Sequence, residues 1–212
     1  MKKISLDIAS PARNELDMLA DIFAKTFPQG NYFETRDRGR DAYIRNSHYD
    51  WESSRVGRHD GKILTHAGVF DYRMRIGCAT VRTVGIGAVL THGDYRKKGL
   101  MTPTFNAMLV AAREAGYDMS VLFGIRDFYH RFGYTRAWSW TDYRVDIADL
   151  PREKPEGKIR KITARMKERL DTFFNARTEE FTGYAVRPTY DTERDTSFGY
   201  VLETAGGKTE AY

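Results

Sequence analysis

Val89-Leu90-Thr91-His92-Gly93-Asp94-Tyr95-Arg96-Lys97-Lys98-Gly99-Leu100-Met101 is the most informative stretch of the chain: an apolar run passes through a basic, glycine-containing loop into a segment of helical periodicity. Met101, Phe105, Met108, Leu109 and Ala112 recur at helix spacing, Pro103 sits in the first turn where its missing N–H is tolerated, and Gly116 stands at a natural stop. The first N–H groups of such a helix lack internal acceptors, and its dipole places about half a positive charge there. Strand, basic loop and helix N-terminus together form an anion cradle suited to a pyrophosphate. Arg96, Lys97 and Lys98 add charge, and Gly99 permits close approach to the backbone. No Gly-x-x-x-x-Gly-Lys-Ser/Thr run occurs, and no Gly-x-Gly-x-x-Gly opens a helix after a strand, so nucleotide hydrolysis and dinucleotide binding lose support. Taken alone, a basic turn with one glycine is more often a solvated loop than a binding site.

Near the N-terminus, Ile4, Leu6 and Ile8 alternate as in a half-buried strand. Ser10 and Pro11 then suit the N-cap and first position of a helix carrying Leu16, Leu19, Ala20, Phe23, Ala24 and Phe27, which Pro28 and Gly30 end. Residues 31–50 mix aromatics with alternating charges and read as loop and short helix. Strands at about 52–58, 62–75 and 79–91, joined by turns at His59-Asp60-Gly61 and Gly77, make a meander. Gly85 and Gly87 in the third strand mark a bulge, a close approach or simple tight packing. Further strands are expected at 119–123 and 137–145, where Trp138 and Trp140 alternate. Residues 151–157 read as a linker, since prolines and charges cluster there without apolar periodicity. A second unit follows: a strand at 158–162, a helix at about 163–180, and a hairpin turning at Ala205-Gly206-Gly207-Lys208. Tyr212 lies inside an apparent strand, so residues 158–212 are expected to be part of a longer unit. The class is α+β.

In 212 residues, 34 Lys and Arg against 29 Asp and Glu leave a net charge of +5, which suits an anionic ligand without demanding nucleic acid. A nucleic-acid reading rests only on this balance and on clusters such as Arg36, Arg38 and Arg40. The single cysteine, Cys78, excludes a disulfide framework within the chain and any four-cysteine zinc site, and points to a reducing, cytoplasmic compartment. No run approaches a membrane span or a signal peptide, so no membrane association is expected. His66 and His130 have no ligand-like spacing, and no metal is expected.

Arg96-x-x-Gly99-x-Met101 resembles the coenzyme A signature of the GNAT N-acetyltransferases, R/Q-x-x-G-x-G/A, with Met101 replacing the final small residue. Arg-Lys-Lys-Gly-Leu-Met further resembles the Arg-Arg-Arg-Gly-Leu-Leu form of the enhanced intracellular survival (Eis) type enzymes. Phe128-Tyr129-His130-Arg131-Phe132-Gly133-Tyr134 is similar to their Phe-Tyr-x-Arg-Phe-Gly-Tyr element. The resemblance covers residues 1–150 as a GNAT N-acetyltransferase domain, and Asn175-Ala-Arg-Thr178 with Thr182-Gly-Tyr-Ala-Val-Arg-Pro188 resembles the start of the family's second GNAT-like unit. It implies a central, mostly antiparallel sheet with flanking helices, and it implies acetyl-CoA as cosubstrate, held where the fourth and fifth strands part.

On that resemblance Val89, Leu90 and Thr91 line the pantetheine and acetyl group, and Arg96 with the N–H groups of Lys97, Lys98, Gly99, Leu100, Met101 and Thr102 surrounds the pyrophosphate. A backbone N–H near Leu90 or Thr91 polarises the thioester carbonyl. Tyr129 stands where the family places its general acid, against the plainer reading of a structural tyrosine. The general base stays open: the expected fourth strand carries no Asp or Glu, the family uses a terminal carboxylate from a later domain, and its histidine at the position of His92 lacks that role. Phe27, Glu34, Asp50 and Trp51 match the region lining the amine pocket, although each alone is an ordinary surface or packing residue. The implied acceptor is a small cationic amine, such as a polyamine or aminoglycoside, or a lysine side chain. A non-catalytic acyl-CoA-binding module is the alternative, and a homo-oligomer is implied for a full-length protein.

Overall fold

In the computed structural model, residues 4–44, 48–138, 141–150, 152, 156–188 and 199–212 are described. In chain order the elements are β1 (Asp7–Ala9), α1 (Leu16–Thr26), α2 (Tyr32–Ile44), β2 (Arg55–His59), β3 (Lys62–Ile76), β4 (Ala79–Thr91), α3 (Met101–Glu114), β5 (Met119–Val121), β6 (Lys158–Lys161), α4 (Lys167–Arg177), β7 (Tyr184–Ala185), β8 (Tyr200–Glu203) and β9 (Thr209–Ala211). Two compact units result. Residues up to Phe123 with those from Thr178 to Asp191 form one, and Gly124–Arg177 with Thr192–Tyr212 the other. The composition-based boundary at 151–157 falls inside the second.

The first unit is built on a mixed sheet of order β1-β2-β3-β4-β5, with β7 pairing β3 near its far end. Every pairing is antiparallel except β4 with β5. Helices cover both faces, and β3 shows why: successive side chains of a strand point to opposite sides. Thr65 Oγ1 meets Thr104 Oγ1 of α3 at 2.7 Å, while His66 next to it packs edge-on to Tyr43 of α2. The core on the α1 and α2 side comprises Leu19, Ile22, Tyr43, Tyr49, Trp51, Val56, Ile63 and Leu90.

Two sequence expectations shift here. The first helix begins at Leu16 rather than just after Ser10, following a 3-10 turn at Arg13–Glu15. Glu15 holds that turn, its Oε2 accepting from Ala12 N at 2.7 Å and its Oε1 from Arg58 Nε at 2.6 Å. The charged stretch read as loop and short helix is a 13-residue helix, α2. Asn31 Oδ1 accepts from Glu34 N at 2.9 Å, an N-cap, and Gly39 admits the Phe23 ring, which a Cβ there would meet at 2.7 Å.

The second unit holds an antiparallel sheet β6-β8-β9 and α4. Glu203, buried in β8, pairs with Arg169 at 2.6 Å and Arg160 at 2.9 Å. The strand, helix and Gly207 hairpin expected after residue 157 are present. No strand forms at 137–138 or 141–145 among the described residues, and Tyr143 and Val145 are exposed rather than alternating into a core. Trp140 lies outside the described residues, as does most of the expected linker.

Candidate active site

β5 pairs with β4 only from Thr83 to Gly85. Beyond that point β4 runs on to Thr91 with β3 on one side and no paired strand on the other among the described residues, so one edge is left open. The β3–β4 register slips within this open stretch: His66 faces Leu90 and Gly68 faces Gly87, so two residues of β4, Ala88 and Val89, stand against one of β3, Ala67. This is a β-bulge at Ala88, which takes φ +49°. His92 N donates to Leu64 O at 2.8 Å, fixing the ladder's phase. Hydrogen-bonded pairs alternate, so Leu90 turns its N–H to His66 while Val89 and Thr91 turn theirs to the open edge.

Gly85 and Gly87 owe their identity to packing. A Cβ at Gly85 would run into the Tyr72 ring, and one at Gly87 would lie 2.8 Å from Phe70 Cε2. Of the readings open from sequence, close ring packing holds at both, with the bulge immediately after.

The loop leaving β4 folds through a 3-10 turn at Gly93–Tyr95. Lys97 (φ +60°) and Gly99 (φ +73°) are both left-handed, and a Cβ at Gly99 would have no atom within 4 Å, so glycine serves the turn and leaves the space above it open. Thr102 N bends back to Gly99 O at 3.3 Å, and among the described residues no main-chain acceptor meets the N–H groups of Lys97 to Met101. Lys98 Nζ donates to Asp94 O at 2.9 Å and lies over the Tyr95 ring, which ties the loop together. Leu100 and Met101 are buried. Met101 thus stands in place of a small residue because its side chain packs inward while its N–H stays at the helix start. Val89 to Thr102 therefore form one continuous surface: open strand edge, basic turn and helix N-terminus.

Of the acceptor-side residues, Phe27 is 40% exposed at the end of α1, and Glu34 is exposed in the first turn of α2. Asp50 is occupied internally: Glu52 N and Ser53 N donate to Oδ1 at 3.0 Å each, and Tyr117 OH to Oδ2 at 2.9 Å. Burial pushes its pKa up, but these donors outweigh it and hold it below the ordinary value. Trp51 is buried, with the Arg13 guanidinium 4.2 Å above its ring. Tyr129 belongs to the second unit, on a 3-10 turn at Tyr129–Phe132 among the rings of Phe128 and Tyr134. Burial raises its pKa, so the hydroxyl keeps its proton at neutral pH. Among the described residues no group of three or more His, Cys, Asp or Glu could hold a metal ion, and no helix is long and apolar enough to cross a membrane.

Residues 7–137, more than half the chain, match the family described as Acetyltransferase (GNAT) domain. The chain belongs to the GNAT acetyltransferase family. Its GNAT fold is shared with a probable N-acyltransferase from Enterococcus faecalis V583, at TM-score 0.78 and 18% identity over 97% of this chain and 53% of that one. The chain thus spans about half the length of that protein. A GCN5-related N-acetyltransferase from Kribbella flavida gives TM-score 0.63 and 17% identity, covering 87% of this chain and 48% of that one. The aminoglycoside N-acetyltransferase AAC(6')-Iy, in complex with a CoA bisubstrate analogue, gives 0.52 and 14% over 66% of this chain and 98% of that one. No curated protein sequence matches the chain significantly.

Sequence reasoning passed over one group in this GNAT domain. His66 is fully buried, its Nδ1 2.6 Å from Ala88 O and its Nε2 2.8 Å from Tyr49 OH. Burial depresses its pKa to about 4, so the ring is neutral at pH 7. A carbonyl only accepts, so Nδ1 carries the proton and Nε2 accepts from the tyrosine. The only hint in the sequence is a histidine inside the apolar run Ile63-Leu64-Thr65-His66-Ala67.

Proposed function

We propose that the protein is an acetyl-CoA-dependent N-acetyltransferase of the Eis-like type, acting on a primary amine. The observation carrying this reading is the continuous surface from the open β4 edge at Val89–Thr91 to the unmatched N–H groups of Lys97–Met101. It fits the two chemistries of the cosubstrate. The edge can pair with the amides of pantetheine as a further strand would, and the basic loop with the helix dipole can take the pyrophosphate. Arg96, Lys97 and Lys98 supply charge, and the N–H groups through Thr102 supply donors. The ladder's phase favours Val89 or Thr91, rather than Leu90, as the N–H donor to the thioester carbonyl.

The amine attacks as its neutral free base, a C–N bond forms at the acetyl carbon, the C–S bond breaks, and CoA leaves as a thiolate that takes the Tyr129 proton. The proton released by the nitrogen passes to water, and water re-protonates the Tyr129 phenolate. Phe27 and Glu34, exposed where α1 ends and α2 begins, offer an apolar face and a carboxylate to a cationic amine. Asp50 and Trp51 act as a fixed wall, being engaged by Tyr117 and Arg13. A small cationic acceptor is the favoured class, in keeping with the aminoglycoside bound as a CoA conjugate in the AAC(6')-Iy structure. We place the acetyltransferase domain at 1–150 and a second GNAT-like unit from 158.

The test is free-thiol release from acetyl-CoA with a panel of polyamines, aminoglycosides and lysine peptides. Wild type is expected to turn over at least one amine, and Tyr129→Phe to lose about 100- to 10,000-fold in kcat while still binding acetyl-CoA. Equal turnover by both would remove Tyr129 from the role of acid. Binding without turnover by wild type on every amine would leave the acyl-CoA-binding module as the reading.

A further inference from the structure

We propose that His66 and Tyr49 are positioning residues for acyl transfer, holding the Ala88 peptide so that the Val89 N–H is aimed away from β3 at the thioester. This rests on the acetyl-CoA reading of the β4 edge given above. In a trans peptide the carbonyl of one residue and the N–H of the next point in opposite directions. Whatever fixes Ala88 O therefore fixes Val89 N–H. The bulge takes Ala88 out of the regular ladder and into a left-handed conformation, φ +49°, which an L-residue adopts only when its surroundings hold it there. Its carbonyl needs a donor, and His66 Nδ1–H supplies one at 2.6 Å.

The His66 ring is held in turn. Tyr49 OH donates to Nε2 at 2.8 Å, which selects the tautomer with the proton on Nδ1. Tyr49 is locked by edge-on contacts with Tyr43 and Trp51, ring centroids 4.9 Å apart in each case, and with Phe70 at 5.4 Å. Gly68 makes room for the arrangement, since a Cβ there would stand 2.9 Å from His66 Cε1 and 2.8 Å from Gly87 O. A chain of buried contacts thus runs from the packed core to one peptide plane on the open edge. Any buried neutral imidazole needs one acceptor and one donor; what is particular here is that the acceptor is the carbonyl the bulge has taken out of the ladder.

The experiment compares wild type with His66→Leu, His66→Asn and Tyr49→Phe by thermal melting, acetyl-CoA affinity, amine turnover and the infrared carbonyl stretch of bound acetyl-CoA carrying 13C in the acetyl carbonyl. The asparagine amide nitrogen reaches roughly where Nδ1 stands. Wild type is expected to lower the carbonyl frequency on binding. His66→Leu is expected to lose that shift and about 100-fold in kcat, with KM for acetyl-CoA changed less than about threefold. His66→Asn should restore most of both, and Tyr49→Phe should fall between. Wild-type turnover and carbonyl shift in a folded His66→Leu protein would overturn the proposal while leaving the acetyl-CoA reading intact. Absence of acetyl-CoA binding by wild type would overturn both. Should His66→Leu not fold, Tyr49→Phe and the 15N spectrum of the wild-type ring decide: a proton on Nε2 instead of Nδ1 would refute the positioning role.

Discussion

Gly99 and His66 contribute by different physics. At Gly99 the demand is conformational: φ +73° with open space above, so Gly99→Ala is expected to cost about 1–2 kcal/mol in strain and to weaken acetyl-CoA binding measurably in a titration. At His66 the demand is a proton on one nitrogen. The folded pKa, near 4, lies below the ordinary 6.5, so between these values the unfolded chain binds more protons than the folded one. The resulting stability is fully present above pH 6.5 and is lost progressively as pH falls towards 4. The groups facing the ring, Tyr43, Tyr49 and the Ala88 carbonyl, carry no charge in that window. Melting curves should therefore fall more steeply from pH 6.5 to 4 in wild type than in His66→Asn, and parallel curves would contradict the assignment. Gly99 was legible in the sequence because the motif encodes main-chain chemistry through one residue type. His66 was not, because its role exists only once the β4 register slips by one residue.

Strands were easier to read than helices. The meander of β2, β3 and β4 is written in alternating side chains and glycine turns, and it matches within a few residues. α2 hid behind alternating charges, because its helical order comes from a cap and from one close approach rather than from a broad apolar stripe. Asn31→Ala should accordingly destabilise the fold by about 1 kcal/mol in urea unfolding, with an unchanged slope against denaturant. No change in midpoint would show that α2 does not need its cap. α1 starts late for a similar reason, since Glu15 spends its carboxylate on Ala12 N and Arg58, a long-range pairing invisible to local pattern. The residues at 137–138 and 141–145 alternate like a strand yet form none among the described residues, since a half-apolar pattern needs an available sheet edge as well.

For the molecule as a whole, the strand–loop–helix stretch at 89–101 carried both the fold and the proposed chemistry, because the main-chain groups that end the sheet edge are the same ones proposed to receive the cosubstrate. What the sequence could not supply was the internal occupation of Asp50 and Trp51, whose partners Tyr117 and Arg13 lie far away in the chain. The measurement that tests the central claim most directly is calorimetric titration of acetyl-CoA into the 212-residue chain, with Gly99→Ala alongside. The expected result is saturable binding at one site per chain, weakened by added salt and by the substitution. Absence of heat at any concentration, in protein shown to be folded, would contradict the claim that the β4 edge and the α3 N-terminus form a coenzyme A site.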